Sequence, residues 1–209
     1  MAEVPWNHNI AYFPFIARVA HSRARRSALD VGTGDGMLAA QLATSIPLVV
    51  GLDVHQEQVD RAALAYPDLP GLRFAVGDAL TVTLPEAPFD FVVCSATLHH
   101  MDLEAGLARL AGLTAPGGTL VIVGLARNDS VTDWILSALS ILPVRIARVG
   151  RGWHEHGAPK LDPSETWAQI YAAITTSLPG AVFRRRLYWR YSVVWNKPVA
   201  EKIVTDTSP

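Results

Sequence analysis

Cysteine is almost absent from this 209-residue chain: Cys94 stands alone. One thiol excludes an intrachain disulfide and a cysteine-rich zinc site. Charge is also sparse, at 18% of residues with a formal net charge of −1. No global field of one sign gathers a polyanion, so nucleic acid is not an expected partner. Long uninterrupted apolar runs are missing too. The most apolar window, Val131–Ala147, is broken by Asp133, Pro143 and Arg145 and is too short to cross a bilayer. Met1–Asn9 lacks the basic and apolar regions of a signal peptide. Repeats and linkers are lacking, which leaves one domain over 1–209. The expectation is a cytoplasmic protein without a membrane span or bound metal, and a homodimer is the assembly allowed for.

What the chain does have is apolar residues, at 50%, enough to exclude a disordered class and to bury a sizeable core. Short apolar runs alternate with helical patterns. Strands are predicted at Ala28–Val31, Leu48–Leu52, Leu72–Val76, Phe89–Ser95 and Thr119–Leu125. Helices are predicted at Gly36–Ser45, Gln56–Tyr66 and from a cap at Asp102 through Thr114. Further on, Asp129–Val149 reads as a helix kinked at Pro143, and Asp162-Pro163-Ser164 opens another that runs to Thr176. Two β-rich runs, Val182–Trp189 and Arg190–Trp195, read as an antiparallel hairpin at the sheet edge. The fold class is therefore α/β: a Rossmann-like, doubly wound sheet of seven strands, mostly parallel, with an antiparallel C-terminal hairpin strand.

The segment from Ala28 to Leu38 (ALDVGTGDGML) reads as a buried strand, a glycine-rich turn and a helix start. Such a turn offers backbone N–H groups to a ligand at a helix N-terminus. A dinucleotide fingerprint, G-x-G-x-x-G, requires glycine at position 37, which is Met37; the third glycine falls at 36. The result, Asp30-x-Gly32-x-Gly34-x-Gly36, resembles the first motif of class I S-adenosylmethionine-dependent methyltransferases. Four more segments fall in the order that family keeps. Gly51-Leu52-Asp53-Val54 ends the second strand, with its acid 17 positions beyond Gly36. Val76-Gly77-Asp78-Ala79 closes the third strand, FDFVVCSATLHH (89–100) follows the fourth-strand pattern, and LTAPGGTL (113–120) leads into the fifth strand. The L-H-H ending at 98–100 is shared with small-molecule methyltransferases related to quinone-biosynthesis enzymes.

The resemblance implies S-adenosyl-L-methionine as cofactor and a terminal hairpin added to a nucleotide-binding sheet. It assigns Asp30 and the amides of Gly32, Thr33, Gly34 and Gly36 to the cofactor's amino-acid end. Asp53, with Val54 beside it, would accept the ribose hydroxyls, although an acid there also suits a helix cap. Asp78 would take the adenine amine and the Ala79 N–H a ring nitrogen, although Asp after glycine also suits a turn. Ser95 would face the methionine part, and Tyr12 would approach the cofactor carboxylate from a lid formed within 1–27. Cofactor binding then occupies 28–125, a substrate-covering insertion 126–162, and the last helix and hairpin 163–209.

The acceptor side is read from residue chemistry. His99 is the candidate base, since histidine exchanges protons near neutral pH, with His8 a weaker candidate; both members of the His99–His100 pair could instead pack structurally. Asn9, His100, Asp133 and Trp134 are candidates for contact with the acceptor, expected to be a small, partly hydrophobic molecule of secondary metabolism. Trp153-His154-Glu155-His156 is read as a surface loop rather than a metal site. Two other functions are weighed. The fold could bind the cofactor without methylating, as a cyclase or a non-catalytic subunit. A nicotinamide oxidoreductase is disfavoured by Met37 and by the single domain.

Overall fold

The computed structural model describes residues 7–130, 133, 162–187 and 189–199. A 3-10 turn at Ile10–Tyr12 leads into α1 (Phe13–Ala20). Next come β1 (Ser27–Val31), α2 (Met37–Ala43), β2 (Leu48–Asp53), α3 (Gln56–Ala65) and β3 (Leu72–Val76). After β4 (Phe89–Ser95) a second 3-10 turn, Leu98–His100, precedes α4 (Leu103–Leu113) and β5 (Thr114–Leu125). The described chain finishes with α5 (Trp167–Ser177), β6 (Val182–Arg186) and β7 (Arg190–Asn196).

Seven strands form one sheet in the order β3-β2-β1-β4-β5-β7-β6. The first five run parallel, while β7 is antiparallel to both β5 and β6. This is the expected class. The chain reverses its direction of travel across the sheet between β1 and β4, the switch point at which open α/β sheets bind ligands. In-register pairing of Val31 with Leu52 and Cys94 brings the C-terminal ends of β1, β2 and β4 to one edge. Both faces of the sheet are covered, so the central strands are apolar throughout rather than alternating. Val92 and Cys94 pack with Leu107 and Leu110 of α4 and Ile170 and Ile174 of α5. Phe91 and Val93 pack on the other face with Ile16 of α1 and Leu38 and Leu42 of α2. Each such side chain, when fully buried, contributes about 1.5–3 kcal/mol.

Three boundaries differ from expectation by three residues or more. β5 begins at Thr114, because the Pro116–Gly118 turn keeps its strand conformation through a register shift opposite Phe89 and Phe91. The last helix begins at Trp167 rather than near Ser164: Thr166 is its cap, with the Thr166–Gln169 box satisfying both backbone donors. β6 stops at Arg186, since Trp189 takes a left-handed φ of 58° in the turn. The expected kinked helix over 129–149, like the 153–156 loop, lies outside the described residues apart from its first two positions and Asp133. Among the described residues, no helix is long and apolar enough to cross a membrane, and no His, Cys, Asp and Glu group could hold a metal.

Candidate active site

A cavity of about 490 Å³ opens at the C-terminal edge of the sheet. Its floor is the turn after β1. Gly32, Gly34 and Gly36 all have positive φ, at 73°, 55° and 79°, a region glycine enters without the penalty of a Cβ. The Gly32 and Thr33 N–H groups donate to the Leu52 carbonyl at 2.8 and 3.0 Å, and Gly34 N–H donates to Asp53 Oδ2 at 2.9 Å. A Cβ on Gly32 would overlap the Thr97 side chain. Gly36 differs from its neighbours because it is not on the cavity wall. It caps α2 from below, where a Cβ would meet Phe74 Cζ at 2.7 Å and Ala62 Cβ at 2.9 Å. The third glycine thus serves helix–sheet packing.

Five aspartates line the cavity, and three of them, Asp30, Asp53 and Asp78, lie one at the end of each of three adjacent strands. Asp30 is 2% exposed and accepts a hydrogen bond from Thr33 Oγ1 at 2.9 Å. Burial pushes its pKa up to about 7, with Asp53 and Asp35 adding to the rise and Thr33 opposing it. Asp53 accepts from the Gly34 and His55 N–H groups at 2.9 and 3.0 Å, one on each oxygen. The N-cap of α3 is His55, so Asp53 does not cap the helix. Its oxygens keep lone pairs for further donors. Asp78 accepts from Leu80 N–H at 2.9 Å and is exposed, next to buried Ala79. Val54 and Ala79 also line the cavity.

β4 completes this wall. Ser95 Oγ is buried, lines the cavity and has no hydrogen-bond partner among the described residues. Ala96 has a φ of 55°, a strained backbone of the kind that collects at functional sites. The 3-10 turn that follows separates the two histidines. His100 lines the cavity; His99 stands behind it, with the rings 4.2 Å apart and tilted by 40°. Burial holds the His99 imidazole down to about 4, with His100 and Arg190 adding to the depression and Glu165 and Asp162 opposing it.

The N-terminal segment forms the opposite wall through Asn9 and Phe13. Tyr12 is turned away: its hydroxyl donates to the Leu187 carbonyl in the β6–β7 turn at 2.5 Å. His8 is also off the wall, edge-on to Trp189 at 5.5 Å. Asp133 is committed elsewhere. Its carboxylate is paired with Arg185 at 2.6 Å and accepts from Ser130 N–H, while Arg185 lies over the Trp167 ring. Trp134 is outside the described residues. Phe13, Thr97 and Met101 line the cavity without having been expected there; the apolar face of α1 was the one signal for Phe13.

Residues 29–122 match the family described as a methyltransferase domain. An uncharacterized methyltransferase of Mycobacterium tuberculosis is 38% identical over 197 residues, spanning 93% of this chain and 98% of that protein. A demethylmenaquinone methyltransferase of Deinococcus radiodurans is 38% identical over 109 residues, 50% of this chain and 44% of the relative. Among solved structures, the N-methyltransferase NodS of Bradyrhizobium japonicum in complex with S-adenosyl-L-homocysteine aligns with a TM-score of 0.62 at 17% identity, over 90% of this chain and 87% of that one. The [4+2]-cyclase SpnF aligns equally well, with a TM-score of 0.62 at 16% identity over 90% and 81%. At such identities these structures share the fold, which therefore does not distinguish methylation from cyclisation.

Proposed function

Because the chain belongs to the methyltransferase family and is an S-adenosylmethionine-dependent methyltransferase, we propose that its acceptor is a small, partly apolar molecule of secondary metabolism. The observation that carries the cofactor assignment is Asp30, a buried carboxylate at a glycine cradle with no cation beside it among the described residues. A ligand ammonium suits it. The Gly32, Thr33, Gly34 and Gly36 N–H groups, assigned to the ligand from the resemblance, are spent on Leu52, Asp53 and Thr33. Asp30 therefore holds the ammonium of the cofactor's amino-acid end beside that turn, Asp53 accepts from its ribose hydroxyls, and Asp78 with the Ala79 N–H reads its adenine. Ser95 Oγ, buried and unpartnered, supplies one more polar contact. Bound there, the cofactor supplies an electrophilic methyl group on a sulfonium.

The chain's own part is mainly alignment and exclusion of water, which suffice for much of an in-line displacement. Phe13, Leu38 and Met101 give the cavity apolar surface for the acceptor body. His100 is the group that receives a proton from an acidic acceptor; what supports it over His99 is its position on the cavity wall. His99, one layer back, positions the His100 ring by packing against it.

Calorimetric titration with S-adenosyl-L-homocysteine tests the cofactor site. Saturable binding is expected, and no heat up to millimolar ligand would overturn the site. A mass increase of one methyl group in a candidate acceptor then tests its class.

A further inference from the structure

Asn9 is held from three directions. Its backbone N–H donates to Asn7 Oδ1 at 2.8 Å and its carbonyl accepts from Tyr12 N–H at 2.9 Å. Its side-chain oxygen, Oδ1, accepts from Arg190 Nη2 at 2.7 Å. Arg190, at the start of β7, is 7% exposed, so the guanidinium is fixed by packing. An arginine has donors and no acceptor. The amide atom facing it must therefore be oxygen, and this decides the orientation of the amide. The Nδ2 amino group, the other arm of the same amide, has no hydrogen-bond partner among the described residues. Asn9 lines the cavity across from the strand ends, on the same segment as Phe13. A cation on Oδ1 also polarises the amide and strengthens its N–H donors.

We propose that Asn9, oriented by Arg190, is a fixed hydrogen-bond donor that selects an apolar methyl acceptor carrying a carbonyl or carboxylate oxygen. This rests on the reading of the cavity as the cofactor site, whose polar groups come from β1 to β4 and leave Asn9 to the acceptor. A molecule presenting a donor at that point meets N–H against N–H and is rejected, because neither partner is satisfied. Arg190 is a positioning residue: it acts through Asn9 and does not line the cavity itself.

The test uses the full chain saturated with S-adenosyl-L-homocysteine, with benzoate and benzylamine as probes of opposite hydrogen-bonding character. The wild-type protein is expected to bind benzoate at least tenfold more tightly than benzylamine. Asn9→Asp keeps the shape and the contact with Arg190 but replaces the donor by a carboxylate oxygen. It should lower the benzoate-to-benzylamine affinity ratio at least tenfold and change affinity for S-adenosyl-L-homocysteine less than threefold. Arg190→Met frees the amide to turn over and should lower the same ratio several-fold, whereas a merely structural arginine would lower the melting temperature and leave the ratio unmoved. Equal binding of the two probes to wild type, no benzoate binding, or an unchanged ratio in Asn9→Asp overturns the proposal. A tenfold loss of S-adenosyl-L-homocysteine affinity in Asn9→Asp also overturns it, by giving Asn9 to the cofactor. Failure of the wild-type protein to bind S-adenosyl-L-homocysteine at all is a different result, and it removes the cofactor site itself.

Discussion

Along the strand-end wall of the cavity, the contacts that shape the site are mostly short in sequence. Thr33 reaches Asp30 across three positions, and Gly34 reaches Asp53 across 19. Along the facing wall the chain closes on itself over almost its full length. Tyr12 reaches Leu187 across 175 positions and Arg190 reaches Asn9 across 181. The first wall is built from backbone N–H groups whose directions demand glycine at set places. The second is built from side chains of distant segments, where many residue types could serve. A cofactor common to a whole family can be held by backbone, and a particular acceptor needs side chains.

The largest effect that could break this comparison belongs to Gly32. Gly32→Ala must hold a left-handed backbone, at about 1–2 kcal/mol, and push aside Thr97. We expect binding of S-adenosyl-L-homocysteine to fall by more than about 100-fold and the melting temperature to drop by at least roughly 4 °C. A variant that binds normally would mean the glycine turn is not the cofactor wall. Asp53→Ala comes next, losing the acceptor proposed for the ribose hydroxyls and the anchor of Gly34 N–H. The expected cost is about 1–3 kcal/mol of cofactor affinity, read by calorimetry, and an unchanged dissociation constant would reject the ribose role.

Asp30 gives a pH-dependent test. Its pKa in the folded chain is up to about 7, above the ordinary carboxylate value of about 4. Between those two values the folded state holds a proton that the unfolded state has released. Stability of the ligand-free protein should therefore fall as pH rises through that window and level off above 7. An ammonium beside Asp30 favours its ionised form, so affinity for S-adenosyl-L-homocysteine should weaken as pH falls below 7, by at most about tenfold per unit. Melting curves and calorimetry from pH 5 to 8 read both trends, and Asp30→Asn should flatten them.

The smallest effect sharpens the facing wall. Tyr12→Phe removes one hydroxyl hydrogen bond to Leu187, worth about 0.5–1.5 kcal/mol of stability, and should leave affinity for S-adenosyl-L-homocysteine within about threefold, since the hydroxyl faces the hairpin turn. A tenfold loss of affinity would return Tyr12 to the cofactor wall that its family resemblance suggests.

The sheet, its order of elements and the acids at 30, 53 and 78 were legible because strand ends and tight turns restrict residue choice severely. The role of Gly36 was not, since a glycine needed for packing against Phe74 and one needed for ligand approach look alike in sequence. Nor was the choice between His99 and His100. It depends on the 3-10 turn at Leu98–His100, which turns successive side chains by about 120° and brings the second ring to the cavity. Asp133 read as a polar contact for the acceptor because its partner, Arg185, lies 52 positions later. Asn9 could be named from the sequence as a polar group near the site. The direction of its amide could not, because that direction is set by a guanidinium at the other end of the chain.

β6 forms one border of the sheet, and its sequence there is Val182-Phe183-Arg184-Arg185-Arg186. Such a border is a template on which another molecule could add a strand. A copy arriving antiparallel about the middle of β6 would set Arg184 against Arg184, and one arriving parallel and in register would oppose each arginine to itself. Like charges directly across a ladder are destabilising. Arg185 and Arg186 are also tethered within their own chain, to Asp133 and over Phe15. The border thus repels its own image, which guards this edge of the sheet against strand-to-strand growth as the concentration of the chain rises.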